Sequence, residues 1–310
     1  MGRLAGIESE VVMGVGAWSR RHPDWAYFVL TFAISWGGLL VLAMPYGMPA
    51  KQDVFTKAWP VVFLPYLMGP LVSGLVLTGI VHGAAGYKRL GARLVRWRLA
   101  PRYYAIAVLT VPALILLTLL PLSLLSDSFG PAIISKSDTF AVLAMGLGVG
   151  ILGGGLLEEP GWTGFVTPEM RQRLSPLSTG VTLGMIWGAW HLLPTYWGSG
   201  NAGGAFDPWL FVPPCVFYLG VLPAYRTLIV LMHEVTGSLL IAVLQHASLT
   251  ACSLFILAPA ATGAPLAGYY VILSALMWTT VFLMRRTWLA PSTDGASHDL
   301  NASGPTKAST

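Results

Sequence analysis

The sequence predicts an all-α, polytopic integral membrane protein of about eight transmembrane helices with one interfacial amphipathic helix. Three observations predict it. The 310-residue chain is 55% hydrophobic and only 10% charged, with a mean hydropathy of +0.68. Soluble domains carry about 25% charged residues, and a soluble fold of this length still needs a polar shell that this chain cannot supply. The apolar residues fall into runs of roughly 20, the length a helix needs to cross a hydrocarbon core. The basic residues, finally, are distributed with the asymmetry of a membrane topology.

The spans are read at 25–45, 59–82, 101–125, 139–157, 178–197, 209–231, 237–257 and 266–284. Between the second and third, Lys88-Arg89-Leu90 through Leu99 sets Arg93, Arg96 and Arg98 among Leu90, Leu94, Val95, Trp97 and Leu99. This stretch is too short and too charged to span, and it reads as an amphipathic helix on an anionic leaflet. With a cytoplasmic N-terminus, fifteen Lys and Arg fall inside and only Lys51, Lys57 and Lys136 outside. That fixes the orientation, puts both termini inside, and accounts for the net charge of +5 without nucleic acid. The domain organisation is a cytoplasmic segment over 1–24, a transmembrane domain over 25–285 and a tail over 286–310. The tail is rich in Ser, Thr, Gly and Asn and is expected to be disordered. Residues 1–24 contain Glu8, Glu10 and Asp24 and do not read as a cleaved signal peptide. The short loops suit a bacterial-type plasma membrane. Cys215 and Cys252 both lie in apolar runs and read as packing residues, with no disulfide framework and no C-x-x-C motif.

Glu158 and Glu159 stand apart from the other acidic residues, because they follow the apolar run Leu143–Leu157 directly and precede Pro160-Gly161. An ionisable group in hydrocarbon costs about 2.5–3.5 kcal/mol on insertion scales, so those retained are usually functional. Neighbours on a helix point about 100° apart, so one carboxylate is expected to face a cavity and the other to fix local structure by hydrogen bonds. The simpler alternative leaves both solvated in the headgroup zone. His191 and His246 lie inside the fifth and seventh spans. A desolvated carboxylate can accept a proton from water near neutral pH, and a neutral histidine can bind a metal or donate to a developing oxyanion. Glu, His and His converging from three helices is therefore a workable hydrolytic site, although the soluble H-E-x-x-H zinc signature is absent. The run Gly153-Gly154-Gly155 permits close helix approach or local unwinding. Arg226, with His233 and Glu234 behind it, reads as a cytoplasmic turn with snorkelling charges. His82 reads as interfacial, and Asn201-Ala202-Gly203-Gly204 as a flexible outside loop.

Glu158-Glu159-Pro160-Gly161-Trp162-Thr163-Gly164-Phe165 resembles the first motif, E-E-x-x-x-R, of the CPBP family of intramembrane metalloproteases. That family includes the type II CAAX prenyl endopeptidases of the Ras-converting-enzyme type and the bacterial Abi proteins. Its second motif, F-x-x-x-H, is matched by Trp187-x-x-x-His191, and its third, H-x-x-x-N or -D, by His246-x-x-x-Thr250. The resemblance covers about residues 139–260 and implies an intramembrane endopeptidase acting near the cytoplasmic membrane face on a membrane-associated peptide or protein. It implies that Glu158 activates the attacking water, that His191 and His246 orient it, bind a metal or hold the oxyanion, and that Glu159 supports them. A zinc ion, if used, would take Glu158, His191 and His246; the residues leave open whether any metal is needed. Three positions depart from the pattern. Trp187 keeps an aromatic packing residue, Thr163 loses a fixed charge that could pair with a glutamate, and Thr250 offers a single hydroxyl where the family has an amide or acid. The alternatives are an inactive relative serving as a membrane scaffold or immunity factor, and a transporter, for which no paired interrupted spans are found.

Overall fold

The computed structural model describes residues 14–288, so the predicted tail from 289 onward and the first thirteen residues lie outside the described region. Among the described residues there is no strand, only one isolated bridge between Gly200 and Phe206. Helix α1 is Pro23–Ala43 and α2 is Gln52–Leu77, which runs through a wide π turn at Thr78–His82 into α3, Gly83–Leu94. Helix α4 is Pro101–Ser123, and α5 is Thr139–Gly148, widening to π geometry over Val149–Leu156. Helices α6, Pro176–Trp190, and α7, Leu192–Trp197, follow. Helix α8, Pro208–Val216, passes through a π turn at Phe217–Val221 into α9, Leu222–Thr236. Helix α10 is Leu239–Ala251, with a π turn at Cys252–Ile256, and α11 is Gly263–Trp288.

Seven of the described helical stretches are long and apolar enough to cross a membrane: Pro23–Tyr46, Gln52–Leu94, Pro101–Ser123, Thr139–Arg171, Pro208–Thr236, Leu239–Ile256 and Gly263–Arg286. The remaining predicted span, 178–197, is α6 and α7. The 15 residues of α6 rise about 22 Å, and the helix stops at His191 before α7 continues. The basic stretch is helical only as far as Leu94; Arg96-Trp97-Arg98-Leu99 leaves the helix. The physical reason is its strict alternation, which cannot keep one face apolar at 3.6 residues per turn. In α3 itself Tyr87, Lys88 and Arg89 are exposed while Gly86 and Leu90 are buried.

The helix pairs that build the site approach on small residues. On α6, a methyl at Gly180 would meet Thr227 Cα at 2.5 Å, at Gly184 Pro223 Cα at 2.4 Å, and at Gly188 Tyr218 O at 2.1 Å. A row of glycines four apart thus lets α6 lie backbone to backbone on α9 and the π turn that precedes it, the packing that drives helix association where lipid supplies no hydrophobic gradient. Hydrogen bonds add to it: Ser35 Oγ donates to Tyr66 O (2.7 Å), Trp36 Nε1 to Trp190 O (2.9 Å) and Tyr225 Oη to Gln245 O (2.7 Å). Helices α8–α9 and α10 are the most buried, whereas α1, α4, α5 and α11 turn large apolar side chains such as Val29, Leu109, Leu152 and Phe282 outward. The paired prolines Pro213 and Pro214 remove two backbone donors just before the π turn at Phe217–Val221.

Candidate active site

Glu158 and Glu159 sit where the membrane helix breaks. After the π segment the chain makes a single helical turn at Glu159–Gly161 and re-enters π geometry over Trp162–Val166. Pro160 has no amide to continue the ladder. Gly161 is pressed between neighbours: a methyl there would stand 2.2 Å from Pro70 O and 2.4 Å from Tyr27 Oη. Both carboxylates are buried, with Glu158 3% exposed and Glu159 0%, so the solvated, headgroup-zone alternative does not hold.

The two glutamates divide the work of holding His246. Glu159 Oε1 contacts His246 Nδ1 at 2.7 Å and Arg226 Nη2 at 2.9 Å, while its Oε2 accepts from Thr163 Oγ1 (2.5 Å) and Arg226 Nη1 (3.0 Å). A carboxylate paired with a guanidinium offers only acceptors, so His246 Nδ1 donates to it, and in the neutral ring Nε2 is the acceptor. That Nε2 lies 3.9 Å from Glu158 Oε1. The other oxygen of Glu158, Oε2, accepts from the indoles of Trp187 (2.9 Å) and Trp162 (3.2 Å). One oxygen is fixed and the other is aimed at the histidine.

His191 caps the end of α6, its Nδ1 bonded to Trp187 O (2.8 Å) and its ring stacked on Tyr218 with centroids 4.6 Å apart. With Nδ1 donating to a carbonyl, its Nε2 is also an acceptor. Glu158, His191, His246 and Thr250 all line one cavity of about 320 Å³. Gly154 makes room for two of them, since a methyl there would meet Thr250 Oγ1 at 2.5 Å and His246 Nε2 at 2.9 Å. The triple glycine therefore serves both functions expected of it, relaxed helix geometry and close approach. The cavity runs past Phe63, Trp59 and Phe55 on α2 and Leu210 on α8. These are the helix ends that join the poorly charged loops, away from the basic segments. Toward the basic end lie buried Trp162, Phe165 and Tyr225, the ion pairs Arg171–Glu234 (2.9 Å) and Arg173–Asp24, and the His82–Glu169 hydrogen bond (2.7 Å). The cavity thus extends away from the basic end.

Among the described residues, no three His, Cys, Asp or Glu side chains form a group able to hold a metal ion. Glu159 is spent on Arg226 and His246 Nδ1, and Glu158 Oε2 on two indoles, so the donor set Glu158, His191 and His246 is not assembled for zinc. Three site residues escaped the sequence reading. Arg226 is fully buried and ten residues short of the end of α9 at Thr236, not at a cytoplasmic turn. The apolar run that continues through Met232 is the signal that could have located it. Trp187 is a donor to Glu158 and a platform for Arg226, whose Cζ lies 4.2 Å from its ring centroid, besides being a packing residue. Trp162 is the third.

Residues 139–252 match the family model described as type II CAAX prenyl endopeptidase Rce1-like. The match supports the CPBP resemblance carried by the three motifs and, in general terms, a CAAX-protease-like intramembrane endopeptidase. It contains Glu158, Glu159, His191, Arg226, His246 and Thr250. A search of curated proteins finds no match.

Proposed function

We propose that this protein is an intramembrane endopeptidase in which Glu158 and His246 activate a water molecule against a peptide carbonyl. The observation that carries the reading is the 3.9 Å separation of Glu158 Oε1 and His246 Nε2 at the end of a buried cavity. That gap is too long for a direct hydrogen bond and suits one water touching both acceptors, each able to take a proton from it. The water oxygen attacks the carbonyl carbon and its proton passes to Glu158. Glu158 then returns the proton to the amine as the C–N bond breaks. In this scheme Thr250 Oγ1 donates to the oxyanion, and His191 positions the substrate or the water from the facing wall. Glu159 supports the centre by fixing the His246 tautomer. No step is routed through a metal.

The substrate is a membrane-associated peptide or protein, presented from the bilayer into an apolar, aromatic-walled cavity. His246 lies seven residues into α10 from Leu239, about 10 Å along the axis, which supports chemistry in the cytoplasmic half. A plasma membrane location accompanies that orientation. An inactive scaffold rested on Thr163 and Thr250; Arg226 supplies beside Glu159 the charge that Thr163 lacks, which favours the enzyme.

The test is cleavage of membrane-anchored peptides, with and without a prenylated C-terminal CAAX sequence, by the purified protein in lipid nanodiscs. Glu158→Gln and His246→Ala are expected to abolish turnover while both variants remain monodisperse. Undiminished cleavage by both would refute the mechanism.

A further inference from the structure

The first motif calls for an arginine at position 163, and this chain has threonine there. The charge has not been lost from the site. Arg226, on a different helix, engages both oxygens of Glu159: Nη1 donates a hydrogen bond to Oε2 at 3.0 Å, and Nη2 lies 2.9 Å from Oε1 as an ion-pair contact without hydrogen-bond geometry. Its Nη1 also lies 3.3 Å from Thr163 Oγ1, which itself bonds the same Glu159 oxygen. The guanidinium thus occupies the space next to the side chain of 163, where an arginine on that side chain would put its own. We propose that Arg226 is a positioning residue that replaces, from α9, the arginine missing at 163, and that it acts on the proposed catalytic centre through Glu159 and Trp187.

Several features converge on this assignment. Arg226 is fully buried, and an arginine in a membrane helix is retained only with a partner that repays its desolvation. The backbone contact that brings it in is built from the glycine row: a methyl at Gly184 would stand 3.1 Å from Arg226 Cβ. Its planar fork matches a carboxylate in a way a lysine ammonium would not. It reaches both glutamates by different routes. Through Glu159 it sets the acceptor that keeps the proton on His246 Nδ1. Through the face of Trp187 it steadies the indole that donates to Glu158 Oε2. Arg226 does not line the cavity, so its action on substrate is indirect. Thr163 is the complementary half, a small hydroxyl that leaves room for the guanidinium and still bonds Glu159.

This inference rests on the protease reading for its kinetic arm alone, and its experiment separates the two. Four proteins are compared in nanodiscs: parent, Arg226→Thr, Thr163→Arg, and the exchange variant carrying both. Turnover is measured on the membrane peptide the parent cleaves. The ring nitrogens of His246 are followed by 15N NMR of histidine-labelled protein, with the signal assigned by its loss in His246→Ala. Arg226→Thr is expected to lower kcat about 10–100-fold with KM little changed, and to lose the single Nδ1–H form of His246. Thr163→Arg alone is also impaired, because two guanidiniums then compete for one carboxylate. The exchange variant recovers both turnover and the His246 signature, a coupling that independent sites would not show. If Arg226→Thr does not fold, Arg226→Lys keeps the charge without the fork and is expected to lose kcat with its fold intact. Parent-like kcat and an unchanged His246 signal in Arg226→Thr or Arg226→Lys overturn the proposal. So does a folded exchange variant that recovers neither. The NMR arm needs no hydrolysis: if the parent cleaves no membrane peptide, or if Glu158→Gln and His246→Ala both cleave like the parent, the proposed function fails while the role of Arg226 is still decided.

Discussion

His246 is held between two carboxylates that treat its two nitrogens differently, and most of the residues around them serve that asymmetry. Glu159 is immobilised by Arg226 and Thr163, whereas Glu158 is tethered on one oxygen by Trp187 and Trp162 and left open on the other. Trp187 is the residue to test, because the family motif has phenylalanine in its place. Trp187→Phe keeps an aromatic ring in a site only 1% exposed but removes a donor to Glu158 and narrows the platform under Arg226. A hydrogen bond to a charged group contributes about 1.5–3 kcal/mol. With the Trp162 bond remaining, the low end applies, so steady-state kinetics should show turnover reduced about tenfold with the fold unchanged. Glu158 and His246 are legible in the sequence because an ionisable side chain in an apolar run is costly to bury unless a site uses it. Trp187 and Trp162 are not, since tryptophan in a membrane chain reads as packing or as an interfacial belt. Arg226 is misplaced by hydropathy alone, which ends the sixth span at residue 231 and leaves the arginine near a turn, when the helix runs to Thr236.

At the scale of elements, the precision of the site comes from helices that touch through glycine. The row Gly180, Gly184 and Gly188 fixes α6 against α9 and the π turn before it, and α6 carries Trp187 and ends at His191. Gly188→Ala would set a methyl 2.1 Å from Tyr218 O, a backbone atom that cannot swing aside. The two helices must separate, at a cost of about 1–3 kcal/mol. Thermal unfolding in detergent should register the loss, and peptide cleavage should fall with it because His191 and Tyr218 share that contact. Gly37→Ala on α1 is the control: nothing lies within 4 Å of the added methyl, and the gain in helix preference is about 0.5–1 kcal/mol, so its unfolding temperature should hold or rise. Hydropathy locates the helices because crossing a bilayer demands long apolar runs. It misses their polar ends, as where α2 starts at Gln52 instead of 59. It cannot foresee the π turns or the stop at His191, which depend on how neighbouring helices press on the chain.

For the whole molecule, the cavity and the positive charge lie at opposite ends. Taking Arg226 out of the inside tally leaves the basic residues of 88–102, 171–173 and 285–286 still gathered at one end, and only Lys51, Lys57 and Lys136 at the other. Charge bias of this strength predicts a chain with its basic end in the cytoplasm. The cavity instead leads from Glu158 toward Phe55 and Leu210, while buried aromatics and the Arg171–Glu234 ion pair occupy the basic end. Chemistry in the cytoplasmic half would then be reached through the outer half. Both statements are tested by cysteine labelling of intact cells with a membrane-impermeant maleimide, in a background where Cys215 and Cys252 are replaced by alanine. Gly203→Cys, in the exposed turn after α7, should label in intact cells, and Lys88→Cys on α3 only after permeabilisation. Phe55→Cys should label from outside, and its modification should block cleavage by filling the passage to Glu158. If Lys88→Cys labels in intact cells and Gly203→Cys does not, the chain is inverted and the same cavity opens to the cytoplasm. If Phe55→Cys is modified without loss of cleavage, substrate reaches Glu158 by another path, between the helices.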